Sequence, residues 1–205
     1  MRLYLINFFL IFLLIFNVST YANEFKAEYI VKTSGIKIGK FSWSLNMGAN
    51  KYETKIYLKN SGIFSSIYKF KGEYKSFGII DKNKFKSKEY KQYWKTNKKV
   101  KIVEMVFDNY LTKLSQKPEE KELARVDLDK LLQHHDPLTS FINILNGNEF
   151  AKTIDGRRVY TMKKIELENS QKFSIEITKY KNIWADHKRN DLEKIDFFLD
   201  EKNFF

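Results

Sequence analysis

The chain has 205 residues, with 37 lysines and arginines against 25 aspartates and glutamates, a net charge of +12, and no cysteine. That length suits one domain with one sizeable core. The lack of thiols excludes disulfide staples, cysteine nucleophiles and cysteine-ligated metals.

The N-terminus reads Met1-Arg2, then an almost unbroken apolar run from Leu3 to Phe16, then Asn17 to Ala22. One positive charge, an apolar run and a small-residue exit at Thr20 and Ala22 are the parts of a secretory signal. The run falls short of the roughly 20 residues that span a bilayer. The expectation is a signal peptide over residues 1–22, cut after Ala22, and a single β-rich periplasmic domain over 23–205. No cysteine follows the cut, so the usual lipoprotein route does not apply.

Past the signal, side chains alternate. Phe25, Ala27, Tyr29 and Val31 oppose Lys26, Glu28 and Lys32; Phe41, Trp43, Leu45 and Met47 oppose Lys40, Ser42, Ser44 and Asn46; Tyr52, Thr54, Ile56 and Leu58 oppose Glu53, Lys55 and Lys59. A period of two over such lengths predicts half-buried strands, separated by turn residues at Ser34-Gly35, Gly48-Ala49-Asn50 and Asn60-Ser61-Gly62. Tyr68, Phe70, Gly72 and Tyr74 continue the pattern, with Gly72 expected to mark a bend or bulge. Phe85 to Lys95 and Lys98 to Phe107 predict a hairpin about Thr96-Asn97. Ser115 to Glu122, with Pro118, reads as a loop. Val159 to Leu167 and Phe173 to Tyr180 predict a hairpin turning near Asn169-Ser170, and Ile195, Phe197 and Leu199 a last strand. Short connections favour antiparallel order.

Residues 127–146 break the rhythm. Leu128, Leu131 and Leu132 have helical spacing, and Leu138, Phe141, Ile142 and Leu145 form a full helical stripe. Asp136 suits the N-cap and Pro137 the first helical position, with Asn146-Gly147 as the stop. Two short helices are therefore expected, packed on the concave side of a strongly curved antiparallel sheet or open barrel of about eight to ten strands.

Few residues carry chemistry. His134 and His135 are adjacent, His187 is remote, and no metal-ligand spacing appears. Gly35 to Lys40 resembles a phosphate loop but is one residue short and sits between strands. Glu119, Glu120, Glu122, Asp127 and Asp129 crowd one polar loop, and a wall-polymer hydrolase would need two carboxylates facing each other across a cleft. No catalytic constellation, metal site or cofactor is expected. Lysines are dense in the predicted hairpin, with Lys91, Lys95, Lys98, Lys99 and Lys101 as its basic surface. The hairpin lysines read either as a contact for an anionic membrane surface or as an edge hairpin protected from edge-to-edge pairing. The net charge as a whole reads either as suited to an anionic partner or as the lysine bias of an AT-rich genome, since only five of the 37 basic residues are arginine. In an exported protein the anionic partner would be a membrane surface or envelope polymer rather than nucleic acid.

At Asp136-Pro137-Leu138-Thr139, then Ile154-Asp155-Gly156-Arg157-Arg158-Val159-Tyr160, the chain resembles the bacterial domain-of-unknown-function family 3108. That family tends to show a D-P-[LI]-[ST] helix start followed by a D-G-[KR]-x-x-Y strand. Phe25 to Tyr29, Gly35 to Gly39 and Tyr93-Trp94 also fit. The resemblance implies a periplasmic β-rich domain with a short helical insert and no established activity. It also implies a looser similarity to open-barrel carriers of lipoproteins and lipids. Such chains tend to continue past the Trp184 to Arg189 region with a proline-containing strand, which this sequence lacks. The functional expectation is a non-enzymatic envelope protein that binds an apolar or amphipathic ligand such as a lipid, lined by Phe41, Trp43, Leu45, Tyr68, Phe70, Phe141 and Ile142. The alternative is a module that docks on an envelope protein or anionic membrane surface through the basic hairpin.

Overall fold

The computed structural model describes residues 23–33, 36–61, 65, 69–166, 172–184 and 194–198. The expected signal segment, the Ser34-Gly35, Gly62 and Asn169-Ser170 turn positions, Tyr68, His187 and Leu199 lie outside these residues.

The protein is mainly β and antiparallel, as the alternation predicts, but its strands divide into two sheets. Seven strands follow one another in order: β1 (Asn23–Thr33), β2 (Ile36–Met47), β3 (Lys51–Asn60), β4 (Phe70–Asp81), β5 (Lys84–Thr96), β6 (Val100–Phe107) and β7 (Leu111–Lys117). The second sheet has the order β11-β10-β9-β8, from β8 (Phe150–Ile154), β9 (Arg158–Glu166), β10 (Lys172–Asn182) and β11 (Lys194–Phe198). The large sheet stays open, with β1 and β7 at its ends. Register shifts at Val31/Lys32, Phe77/Gly78 and Val106/Phe107 supply the local bends of a curved sheet. The glycine expected at a bulge, Gly72, lies instead in regular pairing between Leu58 and Trp94. The Phe70 and Tyr74 rings occupy the space beside it.

Between the sheets runs α1 (Pro137–Leu145). The Asp136 side chain accepts from the Leu138 and Thr139 amides, and Gly147 leaves the helix at φ +97°. The predicted stripe placed one face of this helix on a sheet. In fact Leu138, Thr139, Ser140, Ile142, Asn143 and Ile144 are all buried, because the second sheet covers the other side. Ile142 packs with Trp43, Leu45, Tyr52 and Phe85; Leu138 with Tyr90, Val103 and Met105; Ile144 with Ala151, Phe173 and Ile175. One short helix thus joins three apolar clusters.

Two expectations are corrected. The first predicted helix is only a 3-10 turn, Leu128–Lys130; Gln133 takes φ +60°, and Leu132 projects outward at 59% exposure. Three residues are far too few to propagate an α-helix. Ser115 to Lys117, read as the start of a loop, belong to β7 and pair with β6.

Candidate functional site

The two family motifs build the most polar parts of the interior. Asp136 is fully buried where α1 meets the large sheet. One carboxylate oxygen accepts from Ser76 Oγ at 2.8 Å, Ser87 Oγ at 2.6 Å and Thr139 Oγ1 at 2.5 Å. The other accepts the Leu138 and Thr139 amides. Tyr52 donates its phenol to Thr139, whose own proton is committed to Asp136, and the Asp136 amide returns to Ser87 Oγ. Strand alternation places Ser76 and Ser87 there: both sit on inward positions of β4 and β5, facing the helix start. Burial, and then the negative charge of Asp136, push the Tyr52 phenol far above its usual value. Further along α1, Asn143 pairs with Phe85 as another strand would, accepting from its amide at 3.0 Å and donating to its carbonyl at 2.8 Å.

The second motif forms the β8–β9 turn. Asp155 accepts from the Arg157 and Arg158 amides and holds the Arg158 guanidinium through Nε and Nη2, both at 2.7 Å. Gly156 turns at φ +86°, and its carbonyl accepts Trp184 Nε1. Tyr160 lies inward on β9. Burial and then Asp155 raise its phenol, with Asp136 adding a smaller push; burial and then Asp136 and Asp155 do the same to Tyr90. Both motif aspartates therefore act on one tyrosine pair. Asp136 and its hydroxyl partners have almost no solvent contact, so this network latches the helix rather than meeting a substrate.

The expected ligand-lining residues separate. Leu45 and Ile142 are fully buried, Trp43 nearly so, and all three fill the core under α1. Phe41, Phe70 and Phe141 keep part of their surface. Phe41 packs at the margin of that same core and also joins a cross-strand row toward the β1–β2 and β5–β6 end of the large sheet. Tyr29 pairs with Phe41, Phe41 with Leu58, Leu58 with Gly72, Gly72 with Trp94, and Trp94 with Lys101. Tyr29 is 46% exposed, while Phe41, Leu58, Trp94 and Lys101 are half-buried. The Phe70 ring meets Trp94 edge-on at 5.8 Å.

Of the expected basic surface, Lys91, Lys95, Lys98 and Lys99 are exposed, and Lys91 pairs with Glu104. Lys101 is a correction. Register with Trp94 turns it to the inner face, where its ammonium lies 5.1 Å from the indole centroid. Burial, and then the charges of Arg157, Lys99 and Arg158, lower its pKa. No carboxylate pairs with Lys101 or Arg157 among the described residues. The row and the inward turn of Lys101 do not show in the sequence, because each needs the register of neighbouring strands.

A surface groove of about 440 Å³ runs beside the β6–β7 edge, lined by Ile102, Glu104, Leu114, Glu119, Glu120 and Trp184. Glu119 is exposed and Glu120 partly so, which denies both the apolar enclosure of a general acid. Glu122, Asp127 and Asp129 are likewise exposed. Among the described residues, no three His, Cys, Asp or Glu side chains gather as metal ligands.

His134 and His135 sit at the junction of the insert and the second sheet, where His135 bridges to Thr153. Burial lowers both histidine pKa values, more strongly than the opposing contacts raise them. A histidine held neutral in the fold binds its proton later than the unfolded chain does. Stability should therefore fall as pH drops below about 6.5, until the folded value is reached. Urea midpoints at pH 7.5 and 5.5 should show this loss, and the His134→Asn/His135→Asn double variant should lose less. An equal loss in both proteins would assign it to the carboxylates instead.

The fold and its site define a non-barrel, two-sheet antiparallel protein with a helix latched between the sheets by a buried aspartate. The model of the family described as protein of unknown function (DUF3108) matches residues 20–192, and the chain belongs to that family. No curated protein and no solved structure matches it.

Proposed function

We propose that this is an exported periplasmic protein that holds an amphipathic ligand, a lipid with an acidic head, on the open end of its large sheet. The observation that carries the reading is the row Tyr29-Phe41-Leu58-Gly72-Trp94-Lys101, an apolar strip that ends in an inward cation with no carboxylate partner among the described residues. An acyl chain fits the strip, and a carboxylate or phosphate fits Lys101 with Arg157 beside it. The apolar leader with its small-residue exit supports export.

Protein recovered from the periplasm should begin at Asn23, and its organic extract should contain lipid by mass spectrometry. Purified protein should bind oleate, and Lys101→Ala should weaken that binding about tenfold, the worth of one hydrogen bond to a charged group at the lower end. Methyl oleate, which lacks the charge, should bind both proteins alike. A lipid-free extract together with no oleate binding would remove the reading. A cytosolic product would remove the localisation.

A further inference from the structure

We infer that the outer side of this same sheet end docks on an anionic lipid bilayer through a lysine row that crosses four strands. Lys40 stands opposite Lys59, Lys59 opposite Lys71, and Lys71 opposite Lys95. Strands lie about 4.8 Å apart, so the four lysine positions span roughly 14 Å of backbone on one face. Lys98 and Lys99 extend the patch at the β5–β6 turn, on the same end.

Like charges directly opposite one another disfavour a sheet. The same face shows how they are otherwise handled. Four residues along, Lys55 and Lys75 share Glu53, and Lys91 pairs with Glu104. In the end row only Lys71 has an acidic partner, Glu73, among the described residues; Lys40, Lys59 and Lys95 are exposed without one. A uniform coding bias toward lysine explains abundance, but it does not explain why one row stays uncompensated while the next is neutralised. Repulsion that persists in the free protein is relieved by an anionic partner.

The chemistry of the row favours a bilayer over a discrete anion. Lysine ammoniums are point charges without the fork that fixes a single phosphate, and they suit a field of headgroups. Each row residue also neighbours a member of the inner apolar row: Lys40 beside Phe41, Lys59 beside Leu58, Lys95 beside Trp94. The end thus presents cations outside and half-open aromatic rings inside, the arrangement of a surface that rests at a lipid interface. The docking reading rests on export only for the membrane it would meet, and it needs no bound ligand.

Protein purified after export, mixed with vesicles of phosphatidylcholine containing about 30% phosphatidylglycerol, should cosediment at low salt and release at about 0.5 M salt. Pure phosphatidylcholine vesicles should retain little. Each lysine near an anionic surface adds about fivefold to partitioning, so Lys59→Glu/Lys95→Glu should reduce it at least about 25-fold. Lys51→Glu/Lys84→Glu changes net charge equally at the opposite end of the sheet, beside the β2–β3 and β4–β5 turns, and should change partitioning only a few-fold. Melting curves keep folding separate from binding. An equal loss in both variants, no preference for anionic vesicles, or association only with a soluble protein would overturn the inference. Oleate binding is read separately, so docking and ligand holding can fail one without the other.

Discussion

Replacing Asp136 with alanine is expected to destabilise the fold by about 3–5 kcal/mol, a large share of the ~5–15 kcal/mol that holds most domains together. Loss of an N-cap accounts for about 1–2 kcal/mol of this. The remainder comes from Ser76, Ser87 and Thr139, whose hydroxyls all donate to one buried carboxylate oxygen. Hydrogen bonds to a charged group contribute about 1.5–3 kcal/mol each when broken singly, but they are not additive. Ser76 and Thr139 already lie 3.0 Å apart and can re-pair, which keeps the total below the sum. Asp136→Asn keeps an acceptor for the helix amides, and hydroxyls can rotate to accept from its amide, so its loss should be about 1–2 kcal/mol. Urea unfolding gives both numbers. Trp43 fluorescence should report the alanine variant selectively, because Trp43 packs against Phe141 on α1 at 5.5 Å. A small, equal effect of the two substitutions would mean the latch is redundant with the three apolar clusters that meet on the helix.

Most strands were legible because a sheet with one wet face writes its burial as alternation. Lys84-Phe85-Lys86-Ser87-Lys88 shows the rule and its limit: the lysines mark the outer face, so Ser87 must point inward, yet nothing in the pattern says that Asp136 waits there. The second motif behaved likewise, since Asp155 and Gly156 announce a tight turn but not their contact with Val103 and Trp184. β8 was not read, because only Ala151, Thr153 and Ile154 are buried along it while Phe150 is 58% exposed, inverting the usual signal. Ser115 to Lys117 of β7 read as loop because the strand's inward set, Leu111 and Leu114, is offset by the bulge at Val106/Phe107. The lysine row was the least visible feature. Its members lie on four strands, and only the pairing register sets them side by side.

That register also gives the large sheet two unlike ends. Turns β2–β3 and β4–β5 lie at the closed end, where Asn146 donates to the Asn83 carbonyl and α1 seals the inner face. Turns β5–β6 and, among the described strand ends, β1–β2 lie at the open end, with the apolar row inside and the lysines outside. The helix latch thus fixes the closed end, and the docking proposed for the other end asks nothing of the Asp136 network.

Replacing Gly156 with alanine is expected to cost about 2–4 kcal/mol, from two separable causes. At φ +86° an L-residue pays about 1–2 kcal/mol for its conformation. The added Cβ would also lie 2.4 Å from Val103 Cγ1, an impossible approach to a buried, stiff side chain on β6. Overpacking of this kind costs about 1–3 kcal/mol. Gly147 supplies the comparison: its φ of +97° is similar, but a Cβ there meets nothing within 4 Å. Gly147→Ala should therefore show the conformational part alone, about 1 kcal/mol. Val103→Ala removes the atom that Gly156→Ala strikes, so the double variant should be more stable than the sum of the single losses by at least about 1 kcal/mol. Strict additivity would place the cost entirely in the backbone. It would also make the turn, rather than its seating against β6, what the D-G motif encodes.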